Sequence, residues 1–220
     1  MSKIIFFDIN GTIIKRNPDT DISFEKAIDG FLEITDGMKG VDNSARSDKD
    51  VFMEVLANNQ MELNEELWNG FLDLYKHYLD EYYLTDIWCE NADALEFIKQ
   101  LVSNNCNLAL ITGELSVGAE YKLRKIGVWN SFPCGGFGED ALSRFDIADV
   151  ALQRAREYFQ QDFDEIIVIG DTILDIKTAK HLGAKIISIS TGSNSKEELA
   201  EFQPDYLISK FSEIDLDILI

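Results

Sequence analysis

From Lys3 to Ile9 the chain reads Lys-Ile-Ile-Phe-Phe-Asp-Ile, nearly unbroken apolar residues, and closes on Asn10-Gly11-Thr12. A run of this kind predicts a strand buried on both faces and followed by a tight turn. Between about 18 and 85 strand-like runs vanish and the spacing becomes helical. There Leu67, Phe71, Leu74, Tyr75, Tyr78, Leu79 and Tyr82 recur at steps of three and four, with Asp and Glu on the opposite face. Such an aromatic stripe is a helix-packing face rather than a cofactor box.

After residue 88 strand and helix patterns alternate regularly. Asn91 stands where it can cap a helix reaching about Asn104, and 107–112 is a second buried run. Ser116 is placed to cap a helix ending near Gly127. An extended piece at 131–134 then leads into a glycine-rich loop at 135–138. A helix over about 145–159 precedes a buried strand at 165–170. The following helix stops at Leu182-Gly183, where glycine suits a left-handed cap. A strand at 185–190, a capping box at Ser195 and Glu198, and a short strand near 205–208 complete the series. Strands joined by helical crossovers imply an α/β fold, a mostly parallel Rossmann-like sheet with helices on both faces. The helical stretch 18–85 interrupts that alternation, so an inserted α-helical cap is expected there, over a core made of 1–17 and 86–220.

The chain of 220 residues carries 40 acidic against 20 basic side chains, a formal charge of −20. That surface repels nucleic acid and anionic lipid, and neither is expected as a partner. It also repels a phosphorylated substrate, so an anion site requires a cation or local Arg and Lys to reverse the field. Cys89, Cys106 and Cys134 lack metal-ligand spacing, which points to reduced thiols and a cytoplasmic setting. No stretch approaches the roughly 18 apolar residues of a membrane helix.

Ligands of an open parallel sheet sit at the carboxyl ends of its strands. Asp8, Asn10, Gly11 and Thr12 follow the first strand, Thr112 and Gly113 the second, and Asp171, Thr172 and Asp175 the strand at 165–170. One Asp at a strand end is usually a turn or helix cap, but three delivered to one sheet edge point to a site. Clustered carboxylates repel unless a cation neutralises them, and oxygen ligands of this kind suit Mg²⁺. Thr112, together with backbone N–H groups of 9–12 (Gly11 and Thr12 included) and of Gly113, is placed to hold phosphoryl oxygens. A free carboxylate beside a metal is a competent nucleophile on phosphorus.

Asp8-Ile9-Asn10-Gly11-Thr12, Thr112-Gly113 and Gly170-Asp171-Thr172-Ile173-Leu174-Asp175 resemble three of the sequence motifs of the haloacid dehalogenase-like superfamily. The order and the preceding apolar runs agree, and the helical insert sits where that family carries a cap. The nearest subgroup resembles phosphoglycolate phosphatases and β-phosphoglucomutases. Within the insert, Ala45-Arg46-Ser47-Asp48 is similar to that subgroup's Gly-(Arg/Lys)-Thr-Asp loop, with the glycine and threonine changed. The resemblance implies Asp8 as nucleophile and metal ligand. It implies the Asn10 carbonyl and Asp171 as further ligands to Mg²⁺, with Asp175 acting directly or through the ion's shell, and Thr112 as a phosphoryl-binding residue. It also implies a basic residue ahead of the third motif quoted, a place taken by Arg144 with Lys122 in reserve. Arg46 and Lys49 are candidates for substrate binding from the cap. His77 and His181 are given no role.

The departure lies at position 10. Phosphatases and mutases of this family carry Asp there, and it exchanges a proton with the leaving oxygen and then with water. An amide cannot do so, and general acid–base catalysis is worth ~10²–10⁴ in rate. The expected activity is therefore Mg²⁺-dependent hydrolysis of a small phosphorylated, phosphoglycolate-like metabolite through an aspartyl-phosphate, slowed by Asn10. The competing expectation is a phosphate-ester binding or interaction protein that keeps the metal site. A mutase, which needs the missing carboxylate, and a metal-free dehalogenase, which does not need the Asp171/Asp175 pair, fit less well.

Overall fold

The computed structural model describes residues 2–43 and 46–220; Ala45 of the insert loop lies outside them. Among the described residues six strands form one sheet: β1 (Lys3–Phe7), β2 (Asn107–Ile111), β3 (Gly135–Gly136), β4 (Glu165–Gly170), β5 (Lys185–Ile189) and β6 (Tyr206–Ile208). Their order is β3-β2-β1-β4-β5-β6, and every pairing is parallel. β1 lies at the centre, hydrogen-bonded to β2 on one side and β4 on the other. Chain reversal therefore falls next to β1, and a ligand crevice is expected at the carboxyl ends of β1, β2 and β4.

The sheet is sandwiched because its strands are apolar on both sides. Ile5 and Phe7 enter one buried cluster, and their neighbours Ile4 and Phe6 enter another on the opposite face. The first face is covered by α4 (Ala94–Ser103) and α5 (Ser116–Lys125) through Phe97, Ile98, Leu101, Ala119 and Leu123. The second is covered by α6 (Arg144–Phe159) and α7 (Ile173–Leu182) through Ile147, Ala151, Ile176 and Ala179. α8 (Lys196–Glu201) follows β5, opened by the Ser195/Glu198 capping box. α7 ends at Gly183 with φ 65°.

Between β1 and α4 lie α1 (Ile22–Leu32), α2 (Asp48–Asn58) and α3 (Glu65–Tyr83). They build a third apolar cluster of their own. Phe71 is its hub, stacked on Phe52 with ring centroids 4.1 Å apart and edge-on to Phe24 at 5.4 Å. The aromatic stripe is thus a packing face, with Phe71, Tyr75 and Leu79 fully covered. Leu115, Val117 and Tyr121, at the start and along the length of α5, also join this cluster and tie the insert to the sheet.

Three local expectations are corrected. Asn91 does not cap α4: Asp93, with φ 65°, occupies the cap position, and the Asn91 side chain is buried elsewhere. Ser116 is the first residue of α5 rather than its cap, because its N–H and hydroxyl both bond the Glu139 carboxylate. Gly135 and Gly136 are a short edge strand rather than loop, in register with Leu110 and Ile111, and 129–131 is a 3₁₀ turn. Among the described residues no helix is long and apolar enough to cross a membrane.

Truncating the hub tests the insert's packing. Phe71→Ala should cost ~3–5 kcal/mol, the usual range for a buried aromatic, read as a lower urea midpoint; a loss under ~1 kcal/mol would remove Phe71 from that role.

Candidate active site

Asp8 stands one residue past β1, its N–H donating to the Ile169 carbonyl at 2.9 Å. Asp171 stands one residue past β4, and Asp175 lies in the first turn of α7. The sheet thereby gathers three buried carboxyl groups, with oxygens mutually within 4.8 Å. Thr172 caps α7 in a reciprocal box with Asp175, whose Oδ2 accepts from the Thr172 N–H and hydroxyl. That bond leaves Asp175 Oδ1 to Arg144.

Arg144 is the first residue of α6, and its guanidinium runs back under the sheet edge. Nη2 donates to Asp8 Oδ1 at 2.6 Å, to Asp175 Oδ1 at 2.7 Å and to the Ile111 carbonyl at 3.1 Å. Arg144 Nε is buried without a hydrogen-bond partner among the described residues. Lys122, the reserve candidate, reaches Asn10 from α5. Its Nζ pairs with Glu114 Oε1 at 2.8 Å, donates to Asn10 Oδ1 at 3.1 Å and meets Asp21 at 3.4 Å. The two basic residues divide the work: Arg144 takes Asp8, and Lys122 takes position 10.

A cavity of about 50 Å³ opens above these groups, lined among others by Asp8, Asn10, Asp48, Thr112, Arg144 and Asp175. Gly113 also lines it. Gly11 and Thr12 do not; the Thr12 hydroxyl instead donates to Asp171 Oδ1 at 3.1 Å from beneath. Arg46 borders the cavity, but its guanidinium is spent on Asp50, Glu54 and the Asp42 carbonyl. Lys49 stands outside it, 5.7 Å over the Trp68 ring and reaching toward the Glu139 carbonyl. The expectation that Lys49 meets substrate finds no support, because its ammonium is drawn to that ring and carbonyl.

Several participants escaped the sequence reading. Asn91 Nδ2 donates to the Gly11 and Thr12 carbonyls, both at 2.8 Å, and so pins the turn after β1. The loop after β5 closes over Asp171: Ser193 N–H donates to its Oδ2 at 2.8 Å, and the Thr191 hydroxyl to the Gly11 carbonyl at 2.7 Å. A Cβ on Gly192 would lie 1.7 Å from Asp171 Oδ2, so only glycine permits that approach. Applying the strand-end rule to β5 would have flagged Thr191-Gly192-Ser193. Glu114, buried beside Lys122, accepts from Asn10 Nδ2 at 3.1 Å, so Asn10 is held at both ends of its amide.

The electrostatics follow from the burial. Desolvation pushes Asp171 from its ordinary 3.8 up to about 8, with the charges of Asp8 and Asp175 adding to it. Burial likewise lifts Asp8 to about 6 against the pull of Arg144. Three carboxylates facing one guanidinium leave two negative charges uncompensated when all are ionised. That deficit, met by hard oxygen donors, fits a divalent cation of the Mg²⁺ type.

A parallel six-stranded sheet with an acidic cluster at the carboxyl ends of β1 and β4 places the candidate site where open α/β sheets hold their ligands. The family model for haloacid dehalogenase-like hydrolases matches residues 2–183, and the chain belongs to that family. It is 24% identical over 226 residues to a phosphoglycolate phosphatase of Vibrio vulnificus (strain CMCP6), covering 99% of this chain and 96% of that one. It is 22% identical to the pyrophosphatase PpaX of Listeria monocytogenes serotype 4a (strain HCC23), covering 96% and 93%. The crystal structure of a predicted phosphoglycolate phosphatase from Haemophilus somnus 129pt superposes with a TM-score of 0.70 at 21% identity, covering 99% of this chain and 97% of that one. This last likeness concerns the fold.

The raised carboxyl groups give a signed prediction. In cation-free protein the folded chain holds protons on Asp171 and Asp8 that the unfolded chain has released above pH 3.8. Stability therefore falls as pH rises through the window from 3.8 to about 8. A bound divalent cation removes the repulsion, so MgCl₂ should raise the melting temperature more at pH 8 than at pH 5. An equal shift at both pH values, or none, places the cation elsewhere.

Proposed function

We propose that this protein is a Mg²⁺-dependent phosphatase that hydrolyses a small phosphorylated metabolite through a phosphorylated Asp8. The observation that carries the reading is the single cavity in which Asp8, Thr112, Arg144 and Asp175 meet, with Asp171 buried beneath and a deficit of two positive charges. In this reading residues 18–85 act as the cap over a core of 1–17 and 86–220.

Asp8, Asp171, Asp175 and the Asn10 carbonyl would hold Mg²⁺, which supplies neutralisation of the phosphoryl charge when bound. Arg144 orients the Asp8 carboxylate by holding Oδ1 and keeps it ionised for attack on phosphorus. Thr112, with the Gly113 backbone, receives phosphoryl oxygens at the end of β2. Asn10 donates and accepts hydrogen bonds but exchanges no proton, so an ester whose leaving oxygen needs a proton is handled slowly unless another group supplies it. The names of the Vibrio and Listeria relatives make phosphoglycolate and inorganic pyrophosphate the first compounds to assay. The amide at position 10 also favours a second reading, a phosphate-ester binding protein that retains the cation site.

With MgCl₂ the protein should release p-nitrophenol from p-nitrophenyl phosphate faster than it cleaves phosphoglycolate, because p-nitrophenolate departs without a proton. Asp8→Asn should abolish both, and intact-mass spectrometry after rapid quench should find a phosphoryl adduct on the wild type alone. Retained turnover in Asp8→Asn would remove the nucleophile assignment. Binding of phosphate esters without any turnover would make the second reading the better one.

A further inference from the structure

Position 10 deprives the leaving-group side of the cavity of its usual carboxylate, yet three other acids line that cavity: Asp21, Asp48 and Glu114. Two of them are paired with cations. Glu114 is paired with Lys122 through Oε1 and accepts from Asn10 through Oε2. Asp21 faces Arg16 and Lys122, each at 3.4 Å. Asp48 has no such cation: among the described residues no Arg, Lys or His makes an ion pair with it, since Lys122 turns to Glu114 and Asp21.

Asp48 opens α2 on the insert, but it is strapped to the segment that ends β2. Its N–H donates to the Gly113 carbonyl at 2.8 Å, and its Oδ2 accepts from the Leu115 N–H at 2.9 Å. Between those two anchors the Glu114 N–H donates to the Thr112 hydroxyl at 3.2 Å. The carboxyl group is thus fixed relative to Thr112, although it arrives from the other side of the cavity. Glycine at 113 makes this possible, since a Cβ there would lie 2.1 Å from the Arg46 carbonyl oxygen. Burial, and after it the Glu114 charge, drives the Asp48 carboxyl well above its ordinary range, with the Leu115 N–H and Lys122 opposing. The other groups around it are Asp21 and the buried Tyr75 hydroxyl, which burial holds protonated. Just ahead of its helix Arg46 is turned to Asp50 and Glu54.

We propose that Asp48 is the general acid and base of this active site, doing from the insert what Asn10 cannot do from β1. The proposal rests on the phosphatase reading. As Asp8 bonds to phosphorus and the phosphorus–oxygen bond to the leaving group breaks, the Asp48 proton passes to that oxygen and the alcohol departs. Asp48, now a carboxylate at a helix N-terminus that favours the anion, then takes a proton from water. The hydroxide so formed bonds to phosphorus, the Asp8–phosphorus bond breaks, and inorganic phosphate leaves with Asp8 ionised and Asp48 protonated again.

The test compares p-nitrophenyl phosphate, whose leaving group departs without a proton, with phosphoglycolate in wild type, Asp48→Asn and Asp48→Glu at saturating MgCl₂. Asp48→Asn should lose ~10²–10⁴ on phosphoglycolate and lose the alkaline limb of its kcat profile. With p-nitrophenyl phosphate it should still show a rapid burst of p-nitrophenol followed by a slowed steady state, because phosphorylated Asp8 accumulates. Asp48→Glu, which keeps a carboxyl, should retain the alkaline limb at reduced rate. Equal losses in the burst phase and on phosphoglycolate would overturn the proposal and leave Asp48 as a structural strap. An unchanged phosphoglycolate rate in Asp48→Asn would overturn it outright. A wild type that turns over neither ester would instead remove the phosphatase reading on which it stands.

Discussion

Arg144 sends one nitrogen between Asp8 and Asp175, 2.6 and 2.7 Å away, in a place where its side chain is almost wholly withdrawn from water. A guanidinium so placed is costly unless its charge is matched, and two carboxylates match it more than fully. Its position also runs against local preference, since it begins α6 and a cation is unfavourable at a helix N-terminus by ~0.3–1 kcal/mol. The site overrides the helix. With Arg144 spent on Asp8 and Asp175, the partners of Asp171 among the described residues are the Thr12 hydroxyl and Ser193 N–H, and burial, with the charges of Asp8 and Asp175 adding to it, raises its carboxyl to about 8. The unmatched charge that suits this cluster to a divalent cation is a consequence of where that one guanidinium is anchored.

The backbone explains how so many like charges come to be neighbours. β1 and β4 are adjacent and in register, Phe7 opposite Ile169, so the residues after them emerge side by side. The next strand outward, β5, sends its loop back over Asp171 and reaches Gly11 through Thr191. Asn91 fastens the same turn from the other flank, bonding the Gly11 and Thr12 carbonyls. Two elements distant in sequence thus hold the turn that carries Asn10, and the fixed frame lets a carboxylate cluster persist without relaxing apart.

What was legible from sequence was whatever a buried strand announces. The apolar runs of β1, β2 and β4 marked their own carboxyl ends, and Asp8, Thr112 and Asp171 followed from position alone. The helices of the insert were legible because Phe71, Tyr75 and Leu79 repeat at helical steps. Contacts bridging long separations left no such trace. Asn91 looks like a helix cap because it precedes an apolar-periodic stretch, yet an Asp93 with φ 65° opens the helix and frees Asn91 for Gly11, 80 residues away. The bond from the Leu115 N–H to Asp48 joins positions 67 apart, and the one between Asn10 and Glu114 joins positions 104 apart. Neither has a periodicity that could betray it.

The seam between insert and sheet shows how polar groups specify where two apolar bodies meet. Leu115, Val117 and Tyr121 give α5 an apolar surface against the insert, and such a surface by itself is tolerant of small slips. The polar contacts are not. Lys122 must reach Glu114, Asp21 and Asn10 together, and Asp48 must meet both the Gly113 carbonyl and the Leu115 N–H. A shift of an ångström or two would leave buried charged groups without partners, at a cost of several kcal/mol. Because Asn10 hangs from the same Lys122–Glu114 pair, the seating of the insert and the orientation of the amide beside Asp8 are set by one network. An aspartate at position 10 would bring a second carboxylate against Glu114, so the amide is the partner this network accommodates, and in the mechanism proposed above the proton it cannot carry comes from Asp48 on the insert.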